Sequence, residues 1–113
     1  MEENSKRTPV PELTDEERRE NLEKARAAKR RRAQVLENVR SGSLGVAEVL
    51  GIAEHDEAVS RMRAFTLIRA VPGYGFARTQ QLMKRLRIAE SRRLRGLGVH
   101  QRSALCEQLG GAA

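Results

Sequence analysis

The sequence lacks several residue types, and each shortage excludes a class of protein. One cysteine, Cys106, in 113 residues excludes an internal disulfide and a zinc site built from several cysteines. With no Trp, one Tyr and two Phe, the core must be aliphatic, which favours packed helices over a sheet. No apolar run reaches the roughly 18 residues that span a membrane, and residues 1–7 do not resemble a signal peptide. We therefore expect a small, cytoplasmic, all-α protein.

Acidic residues are scarce in the second half of the chain. Residues 1–60 carry 11 Lys and Arg against 13 Asp and Glu, whereas residues 61–113 carry 11 against two, Glu90 and Glu107. Like charges at this density repel one another unless a polyanion binds them, and phosphate backbones are the commonest polyanion in cytoplasm. Ten of these 11 cations are Arg, whose planar guanidinium makes bidentate phosphate contacts. The charge pattern therefore predicts a nucleic acid as the partner.

Three segments follow one another along the chain. Residues 1–13 have no hydrophobic periodicity, which predicts a disordered tail. A long helix is predicted over 14–41, because Thr14 and Glu17 have the spacing of a capping box and a Ser-Gly pair ends the run. Its apolar residues gather near its C-terminal end, so its first half is expected to lie over or beyond the core. A compact bundle of short helices is predicted over 43–113.

Four consecutive cations, Lys29, Arg30, Arg31 and Arg32, lie within the long helix. Because successive residues of a helix point in different directions, these side chains cannot form one flat patch. They are either a solvated surface paired with glutamates of the same helix or an auxiliary phosphate contact. The sequence leaves both interpretations open.

A Pro-Gly-Tyr-Gly turn connects two predicted helices in the basic half of the chain. Gly73 and Gly75 are predicted to supply positive φ or close backbone approach within the turn. Helical periodicity puts Phe76 on the buried side of the helix that follows. The N-terminus of that helix would offer free N–H groups to an anion, with Tyr74 and Arg78 beside it.

A second glycine-bounded segment, RRLRGLG, precedes the last predicted helix. Its two leucines can point inward while Arg92, Arg93 and Arg95 point outward. Gly96 and Gly98 lie just before a helix start, as the glycines of the first turn do. Two such turns, both beside arginines, predict one composite phosphate-binding surface.

The order of helix, PGYG turn, helix, irregular connection and helix over about 63–110 resembles a helix-two-turn-helix module. Over nearly the whole chain, "LTDEERRENLEKARAAKRRRA", "VPGYGFARTQQLM" and "RRLRGLG" resemble the actinobacterial integration host factor family. The resemblance implies a small, monomeric, all-helical nucleoid protein that binds duplex DNA with little sequence preference and alters its shape. It also places five residues at the DNA-binding surface: Arg92, Arg93, Arg95, Gly96 and Gly98.

Two other functions compete with this interpretation. The helix-two-turn-helix also occurs in a ribosomal protein family of the small subunit, so a ribosomal-type RNA-binding protein is the alternative. DNA glycosylases that contain the module use an N-terminal Pro-Glu pair, but ten residues precede Pro11, so its nitrogen is an unreactive amide. No catalytic constellation or metal-ligand spacing stands out either. We expect double-stranded DNA as the partner, and no enzyme activity, cofactor, metal or small-molecule substrate.

Overall fold

The computed structural model describes residues 13–110. Within that range the chain forms six α-helices and no β-strand, which confirms the all-α fold. The elements in chain order are α1 (Asp15–Arg40), α2 (Val46–Ala53), α3 (Glu57–Ser60), α4 (Ala64–Ala70), α5 (Phe76–Arg85), a 3₁₀ turn (Leu94–Gly96) and α6 (Val99–Leu109). No helix in the described part of the chain is both long and apolar enough to cross a membrane. The tail predicted for residues 1–13 lies, apart from Leu13, outside the described residues.

The first helix begins at the predicted capping box. The backbone N–H of Glu17 donates to Thr14 Oγ1 at 3.0 Å, and the Thr14 N–H donates to Glu17 Oε1 at 2.8 Å. With 26 residues α1 is about 39 Å long, yet Val35 and Val39 are its only buried residues. Leu22, in its first half, is 50% exposed. Only the C-terminal third of α1 therefore belongs to the core, as the distribution of apolar residues predicts.

An aliphatic core joins the end of α1 to the shorter helices. Its fully buried side chains include one or more from each element: Val35, Val49, Val59, Leu67, Met83, Leu94 and Leu105. Burying one such side chain contributes about 1.5–3 kcal/mol. The core thus fixes the relative positions of helices that are individually too short to be stable.

Helix α5 ends in a Schellman motif that contains no glycine. The Ile88 N–H donates to Met83 O at 2.8 Å, and the Arg87 N–H donates to Lys84 O at 3.1 Å. Arg87 has φ 59°, the left-handed conformation that glycine normally adopts at this position. Its carbonyl accepts a hydrogen bond from Gln101 Nε2 at 2.9 Å, which ties the end of α5 to the start of α6. This reversal directs the chain back toward the start of α4.

Candidate nucleic-acid interface

The arginine segment, which we define as residues 92–98, is fastened to the start of α4 by backbone hydrogen bonds. The Ala64 N–H donates to Arg92 O at 2.9 Å, and the Leu94 N–H donates to Met62 O at 2.8 Å. Leu94 is fully buried and Leu97 is 8% exposed, so both leucines point inward as predicted. Two backbone hydrogen bonds, one before and one after Arg93, and two buried leucines therefore hold the backbone that carries the arginines.

The three arginines of the segment are exposed and differ in their partners. Arg92 Nη1 donates to Gly96 O at 3.1 Å, and Arg93 Nη1 donates to Arg61 O at 2.6 Å. Within residues 13–110, Arg95 makes no hydrogen bond, and none of the three has a carboxylate partner. A guanidinium has five N–H donors, so each arginine keeps donors that an anion can accept.

Gly96 and Gly98 have different roles in this segment. A Cβ atom at Gly96 would lie 3.1 Å from Arg92 Cδ, so the absence of a side chain lets Arg92 fold across the turn. The Gly98 N–H, by contrast, donates to Gln101 Oε1 at 2.9 Å. That amide of the α6 N-terminus is therefore already satisfied inside the protein, and Gly96 is the glycine that positions an arginine.

The glycine turn, residues 72–75, leads into an uncapped helix N-terminus. Gly75 is the N-cap of α5, where no side chain accepts a hydrogen bond and the first turn contains no acidic residue. The N–H groups of this turn keep their positive field, which attracts anions. Arg78 Nη1 donates to Gly73 O at 3.1 Å, and its guanidinium carbon lies 4.1 Å from the centre of the Tyr74 ring. The turn thus combines free backbone donors with a positioned cation.

Only one of the two glycines in this turn needs to be a glycine. The Tyr74 N–H donates to Val71 O at 3.0 Å, and Gly73 has φ 89°, the pattern of a type II turn with proline before glycine. Gly75 has φ −85°, and a Cβ atom there would meet nothing within 4 Å. The prediction that Gly75 supplies positive φ or close backbone approach within the turn is therefore wrong, because the type II turn completes the reversal before the chain reaches that residue.

A pair of alanine variants tests this assignment. Gly73→Ala should destabilise the protein by about 1–2 kcal/mol, because a side chain disfavours the left-handed conformation. Gly75→Ala should change stability by less than about 1 kcal/mol, since the entropy that it removes from the unfolded chain is offset by the preference of the N-cap for Gly over Ala. Urea unfolding of both variants measures the difference. Equal destabilisation by the two substitutions would contradict the turn geometry.

The prediction that Phe76 belongs to the core is wrong, because its side chain is 53% exposed. Its ring packs edge-on against Phe65 with the centroids 5.2 Å apart, and the Arg69 guanidinium carbon lies 5.8 Å from its centre. Phe76 is the first residue of α5, and a helical side chain leans toward the preceding turn. Periodicity alone assigned Phe76 to the buried face. The buried residues of this face are Thr79, Leu82 and Met83, and the first turn of α5 extends beyond the core.

The glycine turn and the arginine segment lie at opposite ends of α4. The segment bonds to residues just before α4, whereas the turn follows its last residues. Seven helical residues span about 10 Å. Within the described residues no hydrogen bond joins the two patches. A ligand that contacts both must bridge this distance, and the composite surface stays a prediction.

Two of the four consecutive cations of α1 fasten this helix to the bundle. Arg31 Nε donates to Asp56 Oδ2 at 2.8 Å, and Arg32 Nη1 donates to Ala58 O at 3.4 Å. The hydrogen bond from Arg31 holds the pKa of the Asp56 carboxyl below its ordinary value. Lys29 and Arg30 make no hydrogen bond to the bundle within residues 13–110, and Arg30 pairs with a glutamate of α1 at 3.3 Å. The run therefore divides into two anchoring and two solvated residues.

A cleft of about 1300 Å³ separates α1 from α3, the start of α4 and the arginine segment. We call it the arginine cleft. It is lined by three cations of α1 and four of the bundle: Lys24, Arg31, Arg32, Arg61, Arg63, Arg93 and Arg95. Its one acidic lining residue, Glu57, pairs with Arg61 at 2.6 Å. The structure thus brings part of the α1 cations and part of the arginine segment to one place, and leaves Lys29, Arg30 and Arg92 outside the lining.

Sequence reasoning missed three cations of this cleft, Lys24, Arg61 and Arg63. None of the three directly adjoins another cation in the sequence, so none belongs to a run of charges such as residues 29–32. The available signal was the absence of any Asp or Glu between Glu57 and Glu90. The absence of acids predicts that the cations of residues 58–89 have few local ion-pair partners, but it does not predict which of them line a cleft with α1.

Comparison with known proteins assigns the family. The model of a family described as the S13-like H2TH (helix-two-turn-helix) domain matches residues 39–109. The integration host factor of Mycobacterium tuberculosis (strain ATCC 25618 / H37Rv) is 45% identical over 103 residues, which cover 91% of this chain and 98% of that protein. The integration host factor of Streptomyces coelicolor (strain ATCC BAA-471 / A3(2) / M145) is 39% identical over 101 residues, which cover 89% of this chain and 94% of that protein. A solved structure of sIHF bound to an 8 bp palindromic DNA superimposes with a TM-score of 0.76 at 38% identity, covering 78% of this chain and 99% of that one. On this evidence the chain belongs to the actinobacterial integration host factor family and contains an S13-like H2TH domain.

Proposed function

We propose that the chain is an architectural protein of the nucleoid that binds double-stranded DNA with little sequence preference. The observation that carries the proposal is the set of three exposed arginines on a fixed backbone, without carboxylate partners among residues 13–110. A similar protein, sIHF, has been solved bound to DNA, which supports the same partner here. Membership of the integration host factor family also confirms the prediction that the chain is not an enzyme.

Phosphate contacts supply the binding in this proposal. Arg92, Arg93 and Arg95 donate charge-assisted hydrogen bonds to phosphate oxygens, and the uncapped start of α5 offers backbone N–H groups to another phosphate. The two patches lie about 10 Å apart along α4, while the minor groove between two phosphate backbones is about 6 Å wide. The two patches are therefore far enough apart to lie on the two backbones that border a minor groove.

Low sequence preference and a change in DNA shape follow from the same chemistry. Contacts from arginines and backbone amides to phosphates position a protein on DNA but carry no base information. Proteins that bind across the minor groove often bend the duplex, because the bend lets it contact more protein surface. Gel mobility of circularly permuted fragments would measure a bend.

The proposed secondary DNA contact is the run of four cations in α1: Lys29, Arg30, Arg31 and Arg32. Arg31 and Arg32 line the arginine cleft together with Arg93 and Arg95, whereas Lys29 and Arg30 are exposed on α1 outside its lining. Their effect should be smaller than that of the arginine segment, since Arg30 and Arg31 are partly neutralised by ion pairs.

Structured RNA is the alternative partner, because the same module also occurs in ribosomal proteins. Affinities for duplex DNA and for structured ribosomal RNA at equal salt separate the two functions.

The affinity for DNA should fall steeply as salt rises. If about five to seven phosphates are neutralised, log affinity plotted against log salt concentration has a slope near −5, at about −0.9 per contact. Fluorescence anisotropy of a labelled 20 bp duplex between about 50 and 200 mM NaCl measures this slope. A second duplex of unrelated sequence is the control and should give the same line. An affinity independent of salt would remove the electrostatic basis of the proposal.

A further inference from the structure

The arginine cleft is lined by two parts of the molecule that are far apart in the sequence. One wall is the first helix, with Lys24, Arg31 and Arg32, and the other wall includes Arg93 and Arg95 of the H2TH domain. Arg61 and Arg63 lie between them, immediately before α4. Neither these two arginines nor Lys24 has a role in the function proposed above.

We propose that the arginine cleft receives the phosphate backbone of one DNA strand, so that α1 and the H2TH domain hold the same duplex. In this arrangement Lys24 and Arg63 are phosphate-binding residues. The proposal rests on the DNA binding proposed above and adds to it how the long first helix takes part. Without the cleft, α1 would be a second, independent surface or no DNA contact at all.

Charge is the first argument for an anionic occupant. Seven cations line the cleft against one acidic residue. Only Arg31 and Arg61 of the seven form ion pairs among residues 13–110, with Asp56 and Glu57. The other five cations belong to both walls and have no carboxylate partner within residues 13–110, and walls of low dielectric concentrate their field. A phosphate backbone relieves the repulsion among these cations.

The shape of the cleft is the second argument. The α1 wall presents Ala25 and Ala28, whose small side chains leave the space between the cations open. The bond from Arg31 to Asp56 and that from Arg32 to Ala58 O fix the distance between the walls at one end. In the proposed arrangement α1 runs along the duplex axis, so the rise of about 10 Å from Lys24 to Arg31 corresponds to about three base-pair steps of 3.4 Å.

A steric variant tests the cleft without changing any charge. Ala28→Trp places an indole between the two walls and should weaken binding of a 20 bp duplex about tenfold or more. Ala33→Trp is the matched control, because Ala33 is exposed on α1 and does not line the cleft. It should leave the affinity within about twofold of wild type. Circular dichroism melting of both variants verifies that the fold is kept.

Charge variants give an independent measurement, which decides the question if Ala28→Trp fails to fold. Lys24→Ala and Arg63→Ala should each weaken binding about fivefold and lower the salt slope by about one. Arg26→Ala is the control for Lys24→Ala, since it is an exposed cation of the same helix outside the cleft. Its effect should be within twofold of wild type.

The outcomes separate this proposal from the proposed function. If the arginine-segment variant described in the Discussion loses DNA binding while Ala28→Trp, Lys24→Ala and Arg63→Ala bind normally, the cleft proposal is wrong and the function stands. If wild type fails to bind duplex DNA, both are wrong. Tighter binding of a hairpin RNA than of duplex DNA at equal salt, blocked by the same variants, would assign the cleft to RNA and overturn the proposal.

Discussion

Replacing Arg92, Arg93 and Arg95 together by Ala is expected to lower the affinity for duplex DNA at least about 100-fold. Each charge-assisted contact to phosphate contributes roughly 1 kcal/mol or more, and 1.4 kcal/mol corresponds to a factor of ten. The loss should be similar for unrelated duplexes, because phosphate contacts carry no base information. Titration of two labelled duplexes with the variant measures both expectations.

The arginine-segment variant should remain folded. The substitutions keep Leu94 and Leu97, which anchor the segment, and the backbone bonds to the start of α4. They remove the exposed bonds from Arg92 to Gly96 O and from Arg93 to Arg61 O, for a total cost of about 1 kcal/mol. Relief of repulsion among the cations offsets part of that cost.

A control with the same change in net charge separates a site from a general charge effect. Arg18, Arg19 and Arg26 are exposed on α1 and do not line the arginine cleft. Their triple replacement by Ala also removes three positive charges, yet should change the affinity only a few fold. If both triple variants lose the same affinity, binding depends on net charge alone. If the arginine-segment variant is folded and binds normally, the H2TH domain is not the DNA-binding surface.

Leu94→Ala is expected to have the largest effect on stability, about 2–5 kcal/mol. Leu94 is fully buried, and its backbone N–H is bonded to Met62 O, so the neighbouring chain has little freedom to fill the cavity. Small domains have only about 5–15 kcal/mol of total stability, so this loss is a large fraction of it. Urea unfolding monitored by circular dichroism gives the free energy of unfolding.

Leu22→Ala is the matched control for this substitution, because it removes the same atoms from a side chain that is 50% exposed. Its effect should lie within about 0.5 kcal/mol of zero. DNA affinity of Leu94→Ala should also fall under conditions where the variant is folded, since the cavity loosens the support of the arginine segment. Equal stability of the two leucine variants would mean that Leu94 does not anchor this segment.

The sequence by itself determined the all-helical fold and the start of the first helix, and it predicted the chemistry of the partner. Thr14 and Glu17 begin α1 because capping is local, depending on residues three apart in the chain. Leu94 and Leu97 are buried while the arginines around them are exposed. In a segment that lies on a core, apolar side chains turn toward the core and charged side chains turn toward water. The excess of arginine over acid in residues 61–113 predicts a phosphate partner regardless of the fold.

Only the tertiary structure decided which cations share a site and which glycine is required. Lys24 and Arg63 line the same cleft although 38 residues separate them, because packing of the end of α1 against the bundle sets the path of the whole helix. Gly75 has an ordinary φ because the type II turn at Gly73 already reverses the chain. Phe76 is exposed because α5 begins outside the core, which periodicity within the helix cannot reveal. Such outcomes depend on contacts between distant segments, and local residue patterns carry no information about those contacts.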